Sequence, residues 1–217
     1  MSDVDLTHTD RLLTTTKQVR QRMDLSRPVP RELLLECIDI ANHAPIGGNI
    51  ERNRWLIVDD PDLKAQIAEY YQRVGRPYLE AMGAMAEGDP RQQRVIDSAA
   101  FLVDHIADVP AMVIPLRLDR PDIATVAGSA AYWGSVIPGV WSFQLALRSR
   151  GVGSAWTTFH LEHESAVAEL LGIPDTVTQV ALLAVGYYTG DTFHPAPRRP
   201  AREITYVNAW KRTVDDS

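Results

Sequence analysis

Residues 134–158, GSVIPGVWSFQLALRSRGVGSAWTT, decide the reading of this chain. Val136, Val140, Phe143 and Leu147 form one stripe at helical spacing, with Ile137, Trp141 and Leu145 beside it. A helix apolar round most of its circumference is expected to be buried on nearly every side. Arg148 and Arg150 fall in its last turn, where cations suit the helix dipole, and Gly151 is the expected stop. The run Gly151-Val152-Gly153-Ser154-Ala155-Trp156 then reads as entry into a strand, with small residues where something flat or bulky could approach the backbone. It is not a dinucleotide fingerprint. That motif needs a strand before its glycines and a helix after them, and here the order is reversed.

The chain has 217 residues, enough for one domain with a substantial core. It is 45% hydrophobic and 23% charged, which is ordinary for a soluble globular protein. A net charge of -6 with no basic stripe argues against a nucleic-acid partner. The start, MSDVDLTHTD, is polar and acidic and does not read as a signal or transit peptide. No apolar run is long enough to suggest a membrane span. The single cysteine, Cys37, excludes an intramolecular disulfide and fits a reducing compartment, so a cytoplasmic location is expected.

Outward from the opening stretch, helices and strands alternate without linker or internal repeat. Helices are expected over about Thr9–Arg22, Arg31–His43, Gln92–Ile106 and Glu162–Leu171, and another from Asp60-Pro61-Asp62 through Tyr70 and Tyr71. Strands are expected at Trp55–Val58, Pro110–Leu116, Ser154–Thr158 and Val180–Val185. Ala44 to Asn53 reads as a loop. Gly75 to Pro90 lacks a clear period and reads as an insertion with helical pieces. The tail carries Ile204, Tyr206, Val207 and Trp210, too apolar to hang free, so it is expected to pack on its own body or on a partner.

Several chemistries have no support. There is no nucleophile elbow and no phosphate-binding P-loop. His160 and His163 are the closest histidine pair, but nothing completes a metal site, so no metal is expected. Cys37 lies on the apolar face of a helix and reads as a packing thiol. What remains is cationic. Lys17 and Arg20 are three apart on an expected helix, and Arg198 and Arg199 lie between prolines near the other end. Two such pairs in an acidic protein suit an anion such as phosphate. On spacing alone, four solvated surface charges are the plainer account.

Together these segments resemble the nitroreductase family of flavin enzymes, from about Leu12 to Trp210. Thr15-Thr16-Lys17-Gln18-Val19-Arg20 is similar to the family's opening Arg-x-Ser-x-Arg element, and Ala44-Pro45-Ile46-Gly47-Gly48-Asn49 to its Ala-Pro-Ser-x-x-Asn loop before a Trp-led strand. Gly134 to Thr158 resembles the family's central helix and Gly-Leu-Gly strand entry. Leu171-Gly172-Ile173-Pro174, Val185-Gly186-Tyr187 and Arg198-Arg199-Pro200 resemble its Leu-Gly-Ile-Pro, Gly-Tyr and closing basic elements. Each motif is weak alone; six in order are specific.

The resemblance implies an α+β fold, a central mainly antiparallel sheet wrapped by helices, in an intertwined homodimer. It implies a single FMN-binding domain over 1–217, with an insertion or lid around 72–92 and an extension at 195–217 packing on the partner subunit. By position, Lys17, Gln18, Arg20, Arg198 and Arg199 would hold the FMN phosphate and pyrimidine edge. Pro45, Ile46, Gly47 and Asn49 would approach from the other subunit, and Gly153, Ser154 and Ala155 would pass near the ring. Tyr70, Tyr71, Tyr78 and Trp133 are candidates for the acceptor pocket, with core or interface packing equally open to them. Three positions depart from the family pattern: Gln18 replaces Ser, Ile46 replaces Ser or Thr, and Glu51 replaces Gln. Glu51 is expected to face solvent or an arginine such as Arg52 or Arg54.

The implied activity is ping-pong transfer from NADH or NADPH through FMN to a nitroaromatic, quinone or similar flat acceptor. No side-chain catalyst is required, since the flavin carries the chemistry. Two alternatives stay open. One is a specialised flavin branch, such as reductive dehalogenation, flavin fragmentation or peptide-ring dehydrogenation. The other is a flavin-sequestering protein without turnover.

Overall fold

A computed structural model describes residues 5–216; the first four residues of the polar start read above, and Ser217, lie outside the described residues. The chain divides into two compact units, Thr16–Asp191 and a second unit made of the residues up to Thr15 and from Thr192 on.

In the larger unit, α2 (Arg31–Ala41) is followed by a loop and β1 (Asn53–Val58). A helical hairpin, α3 (Pro61–Met85) and α4 (Pro90–His105), leads to β2 (Ala111–Arg117). Then come α5 (Val126–Gly134), α6 (Ile137–Ser149), β3 (Val152–Thr157), α7 (Glu164–Leu171), β4 (Thr178–Gln179) and β5 (Leu182–Tyr187). The other unit holds α1 (Leu6–Thr15) and α8 (Ala201–Ile204). No helix among the described residues is long and apolar enough to cross a membrane.

The strands form one sheet in the order β1-β2-β5-β3, every named pair antiparallel, with β4 also on β2. The α+β class and antiparallel sheet are as expected. β2 is central, which explains its unbroken apolar run. Its proline is accommodated by a break in the neighbouring ladder. Leu116 pairs with Gln179 and Val113 with Leu183, registers offset by one residue, so that Val180, Ala181 and Leu182 face only Ile114 and Pro115. The Pro115 carbonyl still accepts from Val180 N–H at 2.9 Å.

Local signals start and stop the helices. Asp60 caps α3 by accepting from the N–H groups of Asp62 and Leu63, each at 3.0 Å, with Pro61 in the first turn. Asp89 does the same for α4. Gly172, at φ 66°, ends α7 in the left-handed region. Residues 72–92, read as an insertion, are helical over most of their length: α3 continues to Met85 through Gly75 and Pro77.

The expected helix Thr9–Arg22 is corrected. α1 stops at Thr15, and the chain then becomes extended. Gln18 pairs in parallel with Ser154, and Met23 pairs with Tyr188. Val19 N–H donates to the Ser154 carbonyl at 2.9 Å, and the Trp156 N–H donates to Gln18 Oε1. Lys17 and Arg20 therefore do not share a helix face. They lie on a strip laid along the free edge of β3.

The core joins α2 and α6 to the sheet: Leu34, Cys37, Val140, Phe143 and Leu147 pack with Val113, Leu183 and Val185. Cys37 is fully buried and burial raises its thiol pKa, as befits a packing residue. α6 is not covered all round within the chain. Ile137 and Trp141, one turn apart, remain 43% and 38% exposed.

Candidate flavin site

The strip and β3 bring six of the expected residues together, Lys17, Gln18 and Arg20 on the strip and Gly153, Ser154 and Ala155 on the strand. Gly153, Ser154 and Ala155 are buried, with Ser154 Oγ accepting from Gln144 Nε2 at 2.9 Å. Gly153 has a packing reason to lack a side chain: a Cβ there would lie 2.6 Å from Val19 Cβ. Gln18 spends its amide oxygen on the Trp156 N–H and closes the strand edge.

The cations on the strip differ. Lys17 is exposed. Arg20 is half-buried and its guanidinium has no hydrogen-bond acceptor or carboxylate among the described residues. Burial lowers its pKa, and the nearby Tyr71 phenol opposes that shift. A half-buried guanidinium without a counter-charge is expensive to keep, and an anion seated on it would relieve the cost. Arg22, by contrast, gives Nε and Nη2 to the Thr189 carbonyl at 2.8 and 2.6 Å.

The loop carrying Pro45, Ile46, Gly47 and Asn49 is pinned elsewhere. Gly47 N–H donates to Ser135 Oγ at 3.1 Å, and a Cβ on Gly47 would come 2.8 Å from that oxygen. Gly48 and Asn49 both take left-handed backbone, at φ 61° and 54°. Pro45, Gly47 and Asn49 are exposed, while Ile46 lines a cavity of about 450 Å³ with Leu35, Ile38, Trp55 and Ile57. Glu51 also lines that cavity. Glu51 is exposed, as expected, and pairs with neither arginine: Arg52 pairs with Asp119 at 2.5 Å, and Arg54 donates to the Glu51 main-chain carbonyl at 3.2 Å.

Arg198 and Arg199 belong to the other unit and are exposed, with Arg198 Nη1 donating to the Pro197 carbonyl at 3.1 Å. The four aromatic candidates occupy different settings. Tyr71 is 1% exposed and bonds Thr157 Oγ1 through its hydroxyl at 2.9 Å. Tyr70 is half-buried with its ring 5.4 Å from that of His163, and Tyr78 is exposed with its ring 5.3 Å from Phe159. Trp133 packs on the core edge-on to Tyr132, at 5.0 Å.

Sequence reasoning passed over Thr157, Phe159 and Ser135. Nothing in their spacing marks them, since each matters through a residue far away in the chain. His160 is fully buried with neither ring nitrogen bonded, and no group of three or more metal-binding side chains occurs among the described residues.

The chain is similar to known proteins over most of its length. The chain is 28% identical over 195 residues to the iodotyrosine deiodinase of Thermotoga neapolitana, covering 88% of this chain and 93% of that one. It is 25% identical over 185 residues to iodotyrosine deiodinase 1 of Mus musculus, covering 84% of this chain but only 63% of the mouse protein's length. The crystal structure of oxidized iodotyrosine deiodinase bound to FMN and 3-iodo-L-tyrosine superposes with a TM-score of 0.65 at 24% identity, covering 92% and 98% of the two chains, which shows a shared fold. Residues 22–187, most of the chain and all of the sheet, match the Nitroreductase family, and the protein belongs to that family.

Proposed function

We propose that this protein is an FMN-dependent oxidoreductase that works as a homodimer. The observation that carries the reading is Arg20, a half-buried guanidinium that meets no carboxylate among the described residues, beside the β3 edge in a chain of this family. The FMN in the superposed deiodinase supports the same cofactor here. Arg20 and Lys17 would hold the phosphate or the pyrimidine edge, and Gln18 would keep the β3 edge closed beside the ring. When bound, FMN supplies two-electron acceptance from NADH or NADPH and delivery to a flat acceptor such as a nitroaromatic or quinone. A fixed cation near the pyrimidine favours the reduced, negatively charged cofactor. The protein's part is to hold the ring, exclude water and leave one ring face open.

The exposed apolar pair Ile137 and Trp141, with Leu35 and Ile40 on α2, supports burial against a second copy. That copy would bring Pro45, Ile46, Gly47 and Asn49 to the site, and the tail from 195 on would extend over it. The single, buried cysteine supports a reducing, cytoplasmic setting.

Reductive dehalogenation is a second reading, favoured by the deiodinase from Thermotoga, which matches this chain over nearly its whole length. One experiment separates the two. Purified protein is loaded with FMN and mixed anaerobically with NADH or NADPH. Bleaching by a nicotinamide, followed by re-oxidation with a quinone or nitroaromatic, supports the first reading. A flavin that refuses both nicotinamides but, reduced by dithionite, releases iodide from an iodotyrosine supports the second. Failure to take up FMN defeats both.

A further inference from the structure

Tyr71 and Thr157 meet where α3 passes the end of β3. The Tyr71 ring is held without help from its hydroxyl: it packs on Phe159 with 5.2 Å between centroids. One turn on, Gly75 leaves room for Phe159, since a Cβ there would come 3.0 Å from its ring. The hydroxyl bond to Thr157 Oγ1, 2.9 Å, comes in addition to this packing.

The direction of that bond follows from the surroundings. Burial raises the Tyr71 pKa, so the phenol keeps its proton at neutral pH. A buried O–H without an acceptor is costly. Arg20, whose charge acts on the phenol, has only donors and cannot take the proton. Thr157 Oγ1 is the acceptor found for it among the described residues. The Tyr71 proton therefore goes to Thr157, and its lone pairs are left to the guanidinium charge. Thr157, having accepted, must give its own proton elsewhere. It is half-buried, and no protein acceptor receives that proton among the described residues.

We propose that Tyr71 is a positioning residue that makes the Thr157 hydroxyl an obligate donor beside Arg20, and that the two recognise an electron-rich oxygen of the bound ligand. This rests on the reading of FMN as that ligand. FMN offers such oxygens at its phosphate and at its pyrimidine carbonyls. Both would be met by a cation and a directed hydroxyl.

The test is the affinity of Tyr71→Phe, Thr157→Val, Thr157→Ser and the Tyr71→Phe/Thr157→Val double variant for FMN and for riboflavin, read by flavin fluorescence quenching. Tyr71→Phe and Thr157→Val should each weaken FMN binding about tenfold, the double variant no further, and Thr157→Ser little. Loss confined to FMN assigns the phosphate; equal loss with riboflavin assigns a ring carbonyl. Unchanged affinity in a folded Tyr71→Phe protein overturns the proposal, as do losses that simply add. Should Tyr71→Phe fail to fold, equal affinities of Thr157→Val and Thr157→Ser overturn it. Wild-type protein that takes up no FMN removes this proposal together with the function it rests on, whereas unaltered binding in the variants removes this one alone.

Discussion

Gly153 and Gly186 are register partners across β3 and β5, and residues of one short segment fill the space over both. A Cβ at Gly153 would lie 2.6 Å from Val19 Cβ, and one at Gly186 would lie 2.6 Å from Met23 Cγ. The glycine pair is thus a groove in the sheet that receives the strip 17–23.

Substituting Gly153 should therefore act on the strip. Gly153→Ala overpacks a buried, β-branched Val19 and is expected to cost about 2 kcal/mol in urea unfolding. Gly186→Ala should also destabilise, because its Cβ would meet Met23 Cγ at 2.6 Å and the Pro110 ring at 3.1 Å. Adding Val19→Ala to Gly153→Ala should recover part of the loss. A Gly153→Ala protein as stable as wild type, or no recovery in the pair, would show that Val19 is not the obstacle.

The same groove explains what was and was not legible in the sequence. α2, β1, β2, α7 and β5 were readable because each carries its own period or apolar run. The strip was not, because its structure depends on bonds such as Trp156 N–H to Gln18 Oε1, which joins residues 138 apart in the chain. The helix expected over Thr9–Arg22 ends at Thr15, because pairing with β3 prevails over local propensity beyond it. Gly75 and Pro77 fall in the stretch that lacks a clear period, yet both lie inside α3. Gly75 is there to admit Phe159 and Val103, and the helix runs on past the proline, an arrangement visible only once Phe159, in the turn after β3, is placed against it. Of the candidate site, Lys17 and Arg20 were legible as an unusual cationic pair, whereas their place on the strip was not, and Thr157 left no mark in the sequence at all.

Arg20 should be separable from folding. Its guanidinium has no protein partner among the described residues, so Arg20→Ala should leave the stability of the cofactor-free protein unchanged or slightly raised. FMN affinity should fall about tenfold to a hundredfold, the worth of a charge-assisted hydrogen bond. Thermal melts without FMN and equilibrium titrations with it measure the two effects. Equal FMN affinity, or a strongly destabilised apo-protein, would argue against an anion at this position.

His160 sets an acid limit on stability. Burial lowers its pKa to about 4, against 6.5 for a free histidine, and neither ring nitrogen has a partner. Between those values the unfolded chain binds the proton and the fold does not, so stability falls as pH drops through the window, by up to about 3 kcal/mol. His160→Leu removes this titration. Urea midpoints at pH 7 and pH 4.5 should converge in that variant relative to wild type, with no loss at pH 7, since two unsatisfied ring nitrogens are removed as well. A pH dependence identical to wild type would mean that other groups set the acid limit.

Trp141 tests assembly. Its indole is 38% exposed in the single chain, next to Ile137 at 43%, on a helix whose other side carries the core residues Val140, Phe143 and Leu147. Monomeric proteins seldom leave an aromatic and a branched aliphatic side chain together on the exposed face of a central helix, and a second copy would remove both from water. Trp141→Arg places a charge there without touching the core face. It should sediment as a folded monomer at micromolar concentration where wild type sediments as a dimer, with near-native circular dichroism. FMN uptake should fall with it, because the loop at Pro45–Asn49 would no longer be supplied by the partner. A wild-type monomer that retains FMN would show that one chain suffices for the site. A Trp141→Arg dimer would place the interface elsewhere on the surface.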